Sequence, residues 1–592
     1  MNSLSRLLIR FALWRVKNIS QNQFILILSL VVGMISGLAA VVLKNTIHIV
    51  RFWVINQSER GEYNFLLLVL PMVGILITII LVRYVIKDSL SHGISKILYA
   101  ISQTGGFIKA HHMFSNVLAS TFTIALGGSV GAEAPIVLTG SAIGSNFGRI
   151  FRMNHKAMML LIGCGAAGAI GGIFQAPIAG VIFTIEVLML DLTTLSIAPL
   201  LIAAVSGTTI SYFFLGKDAE FNFLLQSPFD ISNIPYYILL GVAGGFISLY
   251  FNRGVMALEV FYGKIKQPYF KWLLGGSLLS LLIFFFPPLY GEGYPTISAL
   301  LNNDISDLFG HSLFYNMQNF WWSIPLFLGL LIMLKVVATA STNGAGGVGG
   351  VFAPSLFMGG VTGFLVARLL NLTGMVHLPE GYFALAGMAA LLSGIMHAPL
   401  MAIFLIAEIT NGYGLFVPLM IASTLSYITV KSFDKHNLYT KQLAMRGELI
   451  TRHKDQAVLT LMKLNKVIET DFVAVKPRMT LGELVNVISQ SRRNIFPVLN
   501  HQEQLVGIVL LDDIRQIMFN QNMYSITTVE KLMNIPPAFI EIEENMEHVM
   551  QKFETTGAWN LPVLENGKYV GFVSKSKIFS VYRRVLTNYS DE

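Results

Sequence analysis

An apolar run of bilayer length constrains this chain most. "FILILSLVVGMISGLAAVVL" (Phe24–Leu43) has no charged side chain, and neither does "FLLLVLPMVGILITIILV" (Phe65–Val82). Crossing the hydrocarbon core as a helix takes about 20 apolar residues. The first run is too long, and the second lies too far along the chain, for a cleaved signal peptide. Composition extends the argument to most of the molecule: 54% of the 592 residues are hydrophobic and 12% are charged. Soluble domains carry about 25% charged residues. A polytopic helical membrane protein is expected.

The net charge of +8 does not form a nucleic-acid-binding patch, because the basic residues collect at the ends of apolar runs. Arg6, Arg10, Arg15 and Lys17 precede the first run; Lys431, Lys435, Lys441 and Arg446 follow the last. Positive flanks mark the cytoplasmic side. Both ends are therefore expected in the cytoplasm, with an even number of crossings, in the cell (inner) membrane. The single cysteine, Cys164, excludes an intrachain disulfide and reads as a small packing residue.

Apolar density collapses after about Val430, and two similar units follow. "IFPVLNHQEQLVGIVLLDDIRQIM" (Ile495–Met518) and "NLPVLENGKYVGFVSKSKIFSVY" (Asn560–Tyr582) each read as strand, turn, strand, helix. Pro497 and Pro562 are 65 residues apart, Gly507 and Gly571 are 64 apart, and a near-constant offset marks an internal repeat. The units resemble a tandem pair of CBS domains.

The membrane half repeats as well. "GGIFQAPIAGVIFTIEVLML" and "LSGIMHAPLMAIFLIAEITN" both place Glu nine positions after the Ala-Pro proline: Pro177 to Glu186, and Pro399 to Glu408. Upstream, "GAEAP" ends at Pro135 and "GGVFAP" at Pro354, 42 and 45 residues before those prolines. Glycine- and proline-interrupted apolar segments at corresponding positions of two halves point to a transport site at the repeat interface. Glycine-rich helix entries expose backbone N–H groups at the positive end of the macrodipole, and such ends hold an anion without a full charge. "GAEAP", "GVFAP" and "SHGIS" (Ser91–Ser95) are three such entries, with no Arg or Lys in any. Glu133 is then a tethered anion beside the site, able to occupy it and to leave when protonated. A carboxylate at the bilayer centre costs about 2.5–3.5 kcal/mol on insertion scales, so a function is the default. A carboxylate capping a helix start is the alternative.

On these residues the whole chain resembles the CLC family of chloride channels and chloride/proton antiporters. "GSVGAEAP" is similar to the family's Gly-Lys/Arg-Glu-Gly-Pro signature, "GVFAP" to Gly-x-Phe-x-Pro, and "FQAPIAGVIFTIE" to the helix after the central pore. "NLYT" is similar to the segment bearing the pore-lining tyrosine. The resemblance implies an all-α membrane fold of two inverted repeats, about 24–215 and 235–432 within a transmembrane domain at 23–440. It is preceded by a cytoplasmic segment (1–22) and followed by a linker (441–465). An α/β CBS pair completes the chain, at 466–523 and 524–592. It implies Glu133 as the gating glutamate and Ser91, His92, Gly93, Ile94, Val351, Phe352 and Tyr439 as the chloride-contacting set. Gly131, Pro135, Gly350 and Pro354 shape the loops. Without the resemblance, Tyr439 reads as an interfacial belt aromatic. A homodimer with one pore per subunit, embedded in lipid, is implied.

Three positions depart from the family pattern. His92 stands where a serine hydroxyl usually faces chloride, and Ala132 where Lys or Arg is frequent. Val187 occupies the place of the inner proton-path glutamate of coupled members. Neighbouring Glu186 is a candidate station on that path, but one helical step turns a side chain by about 100°. A passive, voltage- or pH-gated chloride channel is expected, with the chloride/proton antiporter as alternative. A CBS-bearing divalent-cation transporter is the rival from another class; it would need several membrane carboxylates, and Glu133, Asp191, Glu186 and Glu408 are the main candidates. No nucleophile–base constellation suggests an enzyme.

Other motifs read plainly. Adjacent His111 and His112 point to different helix faces with no third ligand nearby in sequence, so no metal is expected. "GAGGVGG" lacks the Gly-Lys-Ser/Thr ending of a phosphate loop. Trp321 and Trp322 read as interface anchors. In the CBS pair the hydroxyl and acid of nucleotide-binding members are split: Asp513 goes with Leu510, and Ser574 with Lys577. The case for an adenine nucleotide there is weak, and no cofactor is expected.

Overall fold

The computed structural model describes residues 18–55, 66–88, 93–190, 194–216, 221, 229–304, 320, 322–410, 412–445, 462 and 464–590. Ser91, His92, Asp191, Trp321 and the basic residues of the first 17 positions lie outside them. The chain divides into two units, Met1–Leu449 and Ile450–Glu592.

Within the described residues of the first unit run seventeen helices. Those of the first half are α1 (Gln21–Ile55), α2 (Leu66–Ile80), α3 (Gly93–Gln103), α4 (His112–Ala125), α5 (Glu133–Ile150), α6 (His155–Phe174), α7 (Pro177–Glu186) and α8 (Thr194–Leu215). Those of the second are α9 (Ile234–Lys264), α10 (Pro268–Phe285), α11 (Tyr294–Leu301), α12 (Ser323–Gly344), α13 (Phe352–Leu372), α14 (Glu380–Met396), α15 (Pro399–Ile409) and α16 (Phe416–Phe433). A short α17 (Leu438–Met445) follows. Each helix of the first half has its counterpart eight places on. The packing repeats too: α1 lies on α6 and α8 as α9 lies on α14 and α16, and α5 on α6 as α13 on α14. These are the two inverted repeats. Among the described residues nine helices are long and apolar enough to cross a membrane, and α7, α14 and α15 are shorter apolar helices. α1, at 35 residues, is about 52 Å long, well beyond the hydrocarbon thickness.

The centre of each half is apolar on every side, so α6 and α14 are buried inside the bundle rather than facing lipid. Small residues let their partners come close, as membrane helix contacts require. A Cβ on Gly140 of α5 would sit 2.1 Å from the Gly165 carbonyl oxygen, and one on Gly165 would sit 1.9 Å from that of Gly140. α7 and α15 both start on a proline, where the missing N–H costs nothing. Each is preceded by a left-handed residue that ends the helix before it, Gln175 (φ 57°) and His397 (φ 56°).

The second unit holds two hairpins in the same register. In β2 (Ile495–Leu499) and β3 (Leu505–Leu510), Pro497 faces Ile508 and Val498 faces Gly507. In β5 (Asn560–Glu565) and β6 (Lys568–Ser574), Pro562 faces Phe572 and Val563 faces Gly571, with the register break one residue later in both. The short β1 (Ile468–Glu469) pairs with β6, and β4 (Ile540–Glu541) runs parallel to β5. β1 belongs to the first repeat in sequence yet extends the sheet of the second, so the two are interlocked.

Candidate anion path and gate

The two glycine-rich loops of the membrane unit are joined to each other. Gly131 N–H donates to the Gly350 carbonyl at 2.9 Å, and Gly350 N–H to the Gly131 carbonyl at 2.7 Å. This antiparallel bridge satisfies backbone groups where helices are interrupted, and irregular backbone is tolerated in a membrane only where it is buried in protein or lines a water-filled cavity. The first loop is also fastened to the second half. Ser129 N–H donates to Thr342 Oγ1 (3.1 Å), Thr339 Oγ1 to the Ser129 carbonyl (2.9 Å), and Ser129 Oγ to the Leu289 carbonyl (2.7 Å).

The bridge sets the starts of α5 and α13 together. A Cβ on Gly350 would lie 2.9 Å from Ala134 Cβ, and one on Gly93, at the start of α3, 2.8 Å from the Ala134 carbonyl oxygen. The starts of α3, α5 and α13 thus converge on one place. No side chain caps α5 or α13 at its N-cap residue, Ala132 or Val351. Pro135 and Pro354 sit in the third position of their helices, buried, with Ile94, Val351 and Phe352 also buried. The Phe352 ring meets Phe174, at the end of α6, with centroids 5.3 Å apart.

Glu133 is the first residue of α5 and is 1% exposed. Its carboxylate folds back over the loop: a Cβ on Gly131 would come 2.0 Å from Glu133 Oε2 and 2.8 Å from Ala353 Cβ, so a side chain there would displace the carboxylate. Oε1 accepts a hydrogen bond from the Tyr294 hydroxyl at 2.8 Å. The sequence reading missed Tyr294 and its neighbour Glu292, whose Oε1 accepts from Ala132 N–H at 3.1 Å. Their stretch, "GEGYP", repeats the glycine–carboxylate–proline composition of "GAEAP" and was the available signal. Also missed was Lys335, fully buried on α12. Its Nζ donates to the Gly291 carbonyl at 3.2 Å, lies 4.6 Å from the Phe357 ring centre and feels the Glu292 charge. The Lys335 charge thus acts on Glu292, the residue that accepts from Ala132 N–H.

Tyr439 reaches the same region from the far end of the chain. Ser95 Oγ, on α3, donates to the Tyr439 carbonyl at 3.0 Å. Asn437 anchors the turn ahead of it, donating to the Met396 carbonyl at 2.9 Å and accepting from Thr440 N–H at 2.8 Å. The phenol is buried, has no hydrogen-bond partner among the described residues, and is close enough to Glu133 to feel its charge. Burial and tertiary anchoring replace the belt position that "NLYT" alone would suggest.

Glu186 stands apart from this cluster. Its carboxylate accepts from Leu400 N–H (3.2 Å) and Met401 N–H (2.8 Å) at the start of α15, while Glu408 accepts from Ile178 N–H (3.0 Å) and Ala179 N–H (2.8 Å) at the start of α7. Each repeat caps the other, with charge-assisted bonds at a positive helix end. The two carboxylates point at different helices rather than at a shared cation. Val187, next in sequence, is buried.

One expectation is corrected. His111 and His112 do not diverge: His111 is the N-cap residue of α4, outside the regular helix, and the two rings lie 4.2 Å apart. Asp88, distant in sequence, faces both. Trp322 is partly exposed. In the second unit, Glu469, Arg493, Trp559, Asn560, Ser574 and Lys577 line a cleft of about 420 Å³. Ser574 Oγ donates there to Glu469 Oε2 (2.7 Å), and Arg493 Nη2 to Glu469 Oε1 (3.0 Å).

Comparison with known proteins agrees with this architecture. The sequence pattern of the family described as voltage gated chloride channel matches residues 73–431, more than half of the chain, and CBS domains match 464–520 and 529–584. The chain belongs to the voltage gated chloride channel family. It is 27% identical over 439 residues to an H(+)/Cl(-) exchange transporter, ClcA, of Vibrio cholerae, covering 71% of this chain and 89% of that one. It is 28% identical over 368 residues to the voltage-gated ClC-type chloride channel ClcB of Escherichia coli, covering 60% of this chain and 80% of that one. The fold matches the crystal structure of a eukaryotic CLC transporter with a TM-score of 0.60 at 17% identity, covering 93% of this chain and 97% of the other. This is an anion-transport membrane protein with a CBS pair.

Proposed function

We propose that the chain conducts chloride passively, with Glu133 as the gate. The supporting observation is the convergence of the α3, α5 and α13 starts around a buried, tethered carboxylate, with the Tyr439 hydroxyl turned into the same region. Backbone N–H groups of Val351 and Phe352, the Ser91–Ile94 segment and the Tyr439 hydroxyl would take the anion in turn. Each is a partial charge, so binding stays weak enough for release. Glu133 competes for the anion's place; on protonation it loses both its charge and its hold there, and the path opens.

The channel reading, over the exchanger, rests on Val187. Carrying protons needs ionisable stations, because a bare proton in hydrocarbon is prohibitively costly. Valine offers none, and Glu186 is bonded to the start of α15. The relative named as an H(+)/Cl(-) exchanger keeps the second reading in view. We place both termini in the cytoplasm of a cell (inner) membrane and take the assembly to be a homodimer with one path per chain. In liposomes, a chloride gradient should move chloride while the internal pH stays flat. Uphill proton movement by the unmodified protein would replace the channel with the exchanger.

A further inference from the structure

We infer that Asp88, His111 and His112 form a binding site for a divalent cation of the zinc class, built from residues the anion-path proposal does not use. The site is assembled from two distant pieces of chain. A π-helical turn, Leu81–Ile86, extends α2 and is closed by Lys87 in the left-handed region (φ 56°), its N–H donating to the Val82 carbonyl at 2.8 Å. That reversal presents Asp88 to the start of α4.

Asp88 Oδ2 lies 3.1 Å from His111 Nε2 and 3.9 Å from His112 Nε2, and the three ligand atoms are all within 4.8 Å of one another. Zinc bonds of about 2.0–2.2 Å at tetrahedral angles put neighbouring ligand atoms about 3.3 Å apart. The two carboxylate–imidazole separations, 3.1 and 3.9 Å, lie on either side of that value, and the three groups need only close together to share one ion. Two imidazoles and one carboxylate suit zinc and leave its fourth position open; magnesium or calcium would want oxygens only.

The outer ring nitrogens are held as well. His111 Nδ1 is 3.2 Å from Ser115 Oγ, and His112 Nδ1 is 3.5 Å from Asn116 Nδ2, each partner one turn further along α4. Asn116 itself is fixed by donating to the His112 carbonyl at 2.9 Å. The Ser115 hydroxyl can accept the Nδ1 proton of His111 and leave its Nε2 free for the ion, a kind of contact whose loss typically weakens metal binding by about 10–100-fold. The Asn116 amide is a donor, so its contact with His112 Nδ1 must open when His112 Nε2 takes the metal.

Two lysines face the cluster. Lys109 Nζ lies 2.8 Å from Asp88 Oδ2, and the Lys96 charge is felt by both Asp88 and His112. Lys109 is 60% exposed on a flexible stem, so its ammonium can swing into water when a dication takes the carboxylate. The lysine is therefore a competitor, and that competition separates a metal site from an ordinary ion-pair network.

Titration of the purified full-length chain with Zn(II) alone, by calorimetry, tests the site. One saturable site per chain is expected, weakened at least about tenfold in His111→Ala and Asp88→Asn. Lys109→Ala should bind Zn(II) more tightly than the unmodified protein, an outcome that no structural role of the lysine produces. Co(II) should give d–d absorption bands that Zn(II) displaces, providing a second readout should the more buried His112→Ala fail to fold. Absence of saturable binding would overturn the site. So would binding unchanged in both His111→Ala and Asp88→Asn, or no tightening in Lys109→Ala. The measurement uses no ion flux, so its failure leaves the anion-path proposal standing.

Discussion

Glu133 and Phe352 occupy the same place in the two repeats. Each is the first residue of a helix that follows a glycine-rich loop and carries proline two positions later. The backbone around them matches, and the loops bond to each other through Gly131 and Gly350. Yet one position holds a buried carboxylate and the other a buried ring. Glu186 and Glu408 behave oppositely: they are equivalent, identical, and do the same thing, each capping the partner repeat's helix. Where the halves agree, the residues hold the scaffold. Where they differ, the two halves present different chemistry at the same backbone position, and on the proposed function an ion would meet a carboxylate on one side and a phenyl ring on the other.

The strongest way to break that contrast is Glu133→Gln, which mimics the protonated gate. Chloride flux should persist or rise and lose its dependence on external pH, measured as anion efflux from liposomes. If pH dependence is unchanged, Glu133 is a helix-start residue like its scaffold neighbours.

Phe352→Ala and Tyr439→Ala should shift the chloride-over-nitrate ratio more than they lower protein yield. Wild-type ratios in both would remove these segments from the path.

The capping glutamates supply the converse. Glu186→Gln and Glu408→Gln each weaken two bonds to backbone N–H groups at a helix start, for about 1–2 kcal/mol apiece. Thermal unfolding in detergent should show similar losses for the pair, with proton movement untouched. A much smaller loss in Glu186→Gln than in Glu408→Gln would split the pair and show that the two caps are not equivalent.

The smallest effect lies in the CBS unit, where the repeats again share a register and differ where the second strand ends. Leu510 ends β3 where Ser574 ends β6, and only the serine joins the Glu469–Arg493 cluster. The Arg493 guanidinium, bonded to Asp471, holds that carboxyl below its ordinary value and is itself held above its own. A depressed carboxyl contributes stability above its unfolded value, near 3.9, and loses it as pH falls through the lower folded value. Asp471→Asn should therefore slightly speed hydrogen exchange in β1 and β6 at neutral pH and make no difference in strong acid. An equal effect at both pH values would mean the charge is irrelevant.

Much of this molecule could be read in order along the chain. Apolar runs decide that it enters a membrane, because hydrocarbon admits only segments that bond their own backbone. Matched glycine, proline and glutamate landmarks decide that there are two halves and where helices are interrupted. They point to Glu133, because a charge placed among glycines in hydrocarbon has few bland explanations. Other features have no local signature. That Tyr294 meets Glu133, that Lys335 bonds the Gly291 carbonyl, and that Ser95 holds Tyr439 depend on residues 44 to 344 positions apart. The exchanged caps of Glu186 and Glu408 span 214 to 230 positions, and His111 finds Asp88 across 23. Periodicity and propensity describe what a segment does with its own neighbours within a turn or two. Which side chain faces which across the fold is set by how the helices pack, and packing is a property of all of them at once.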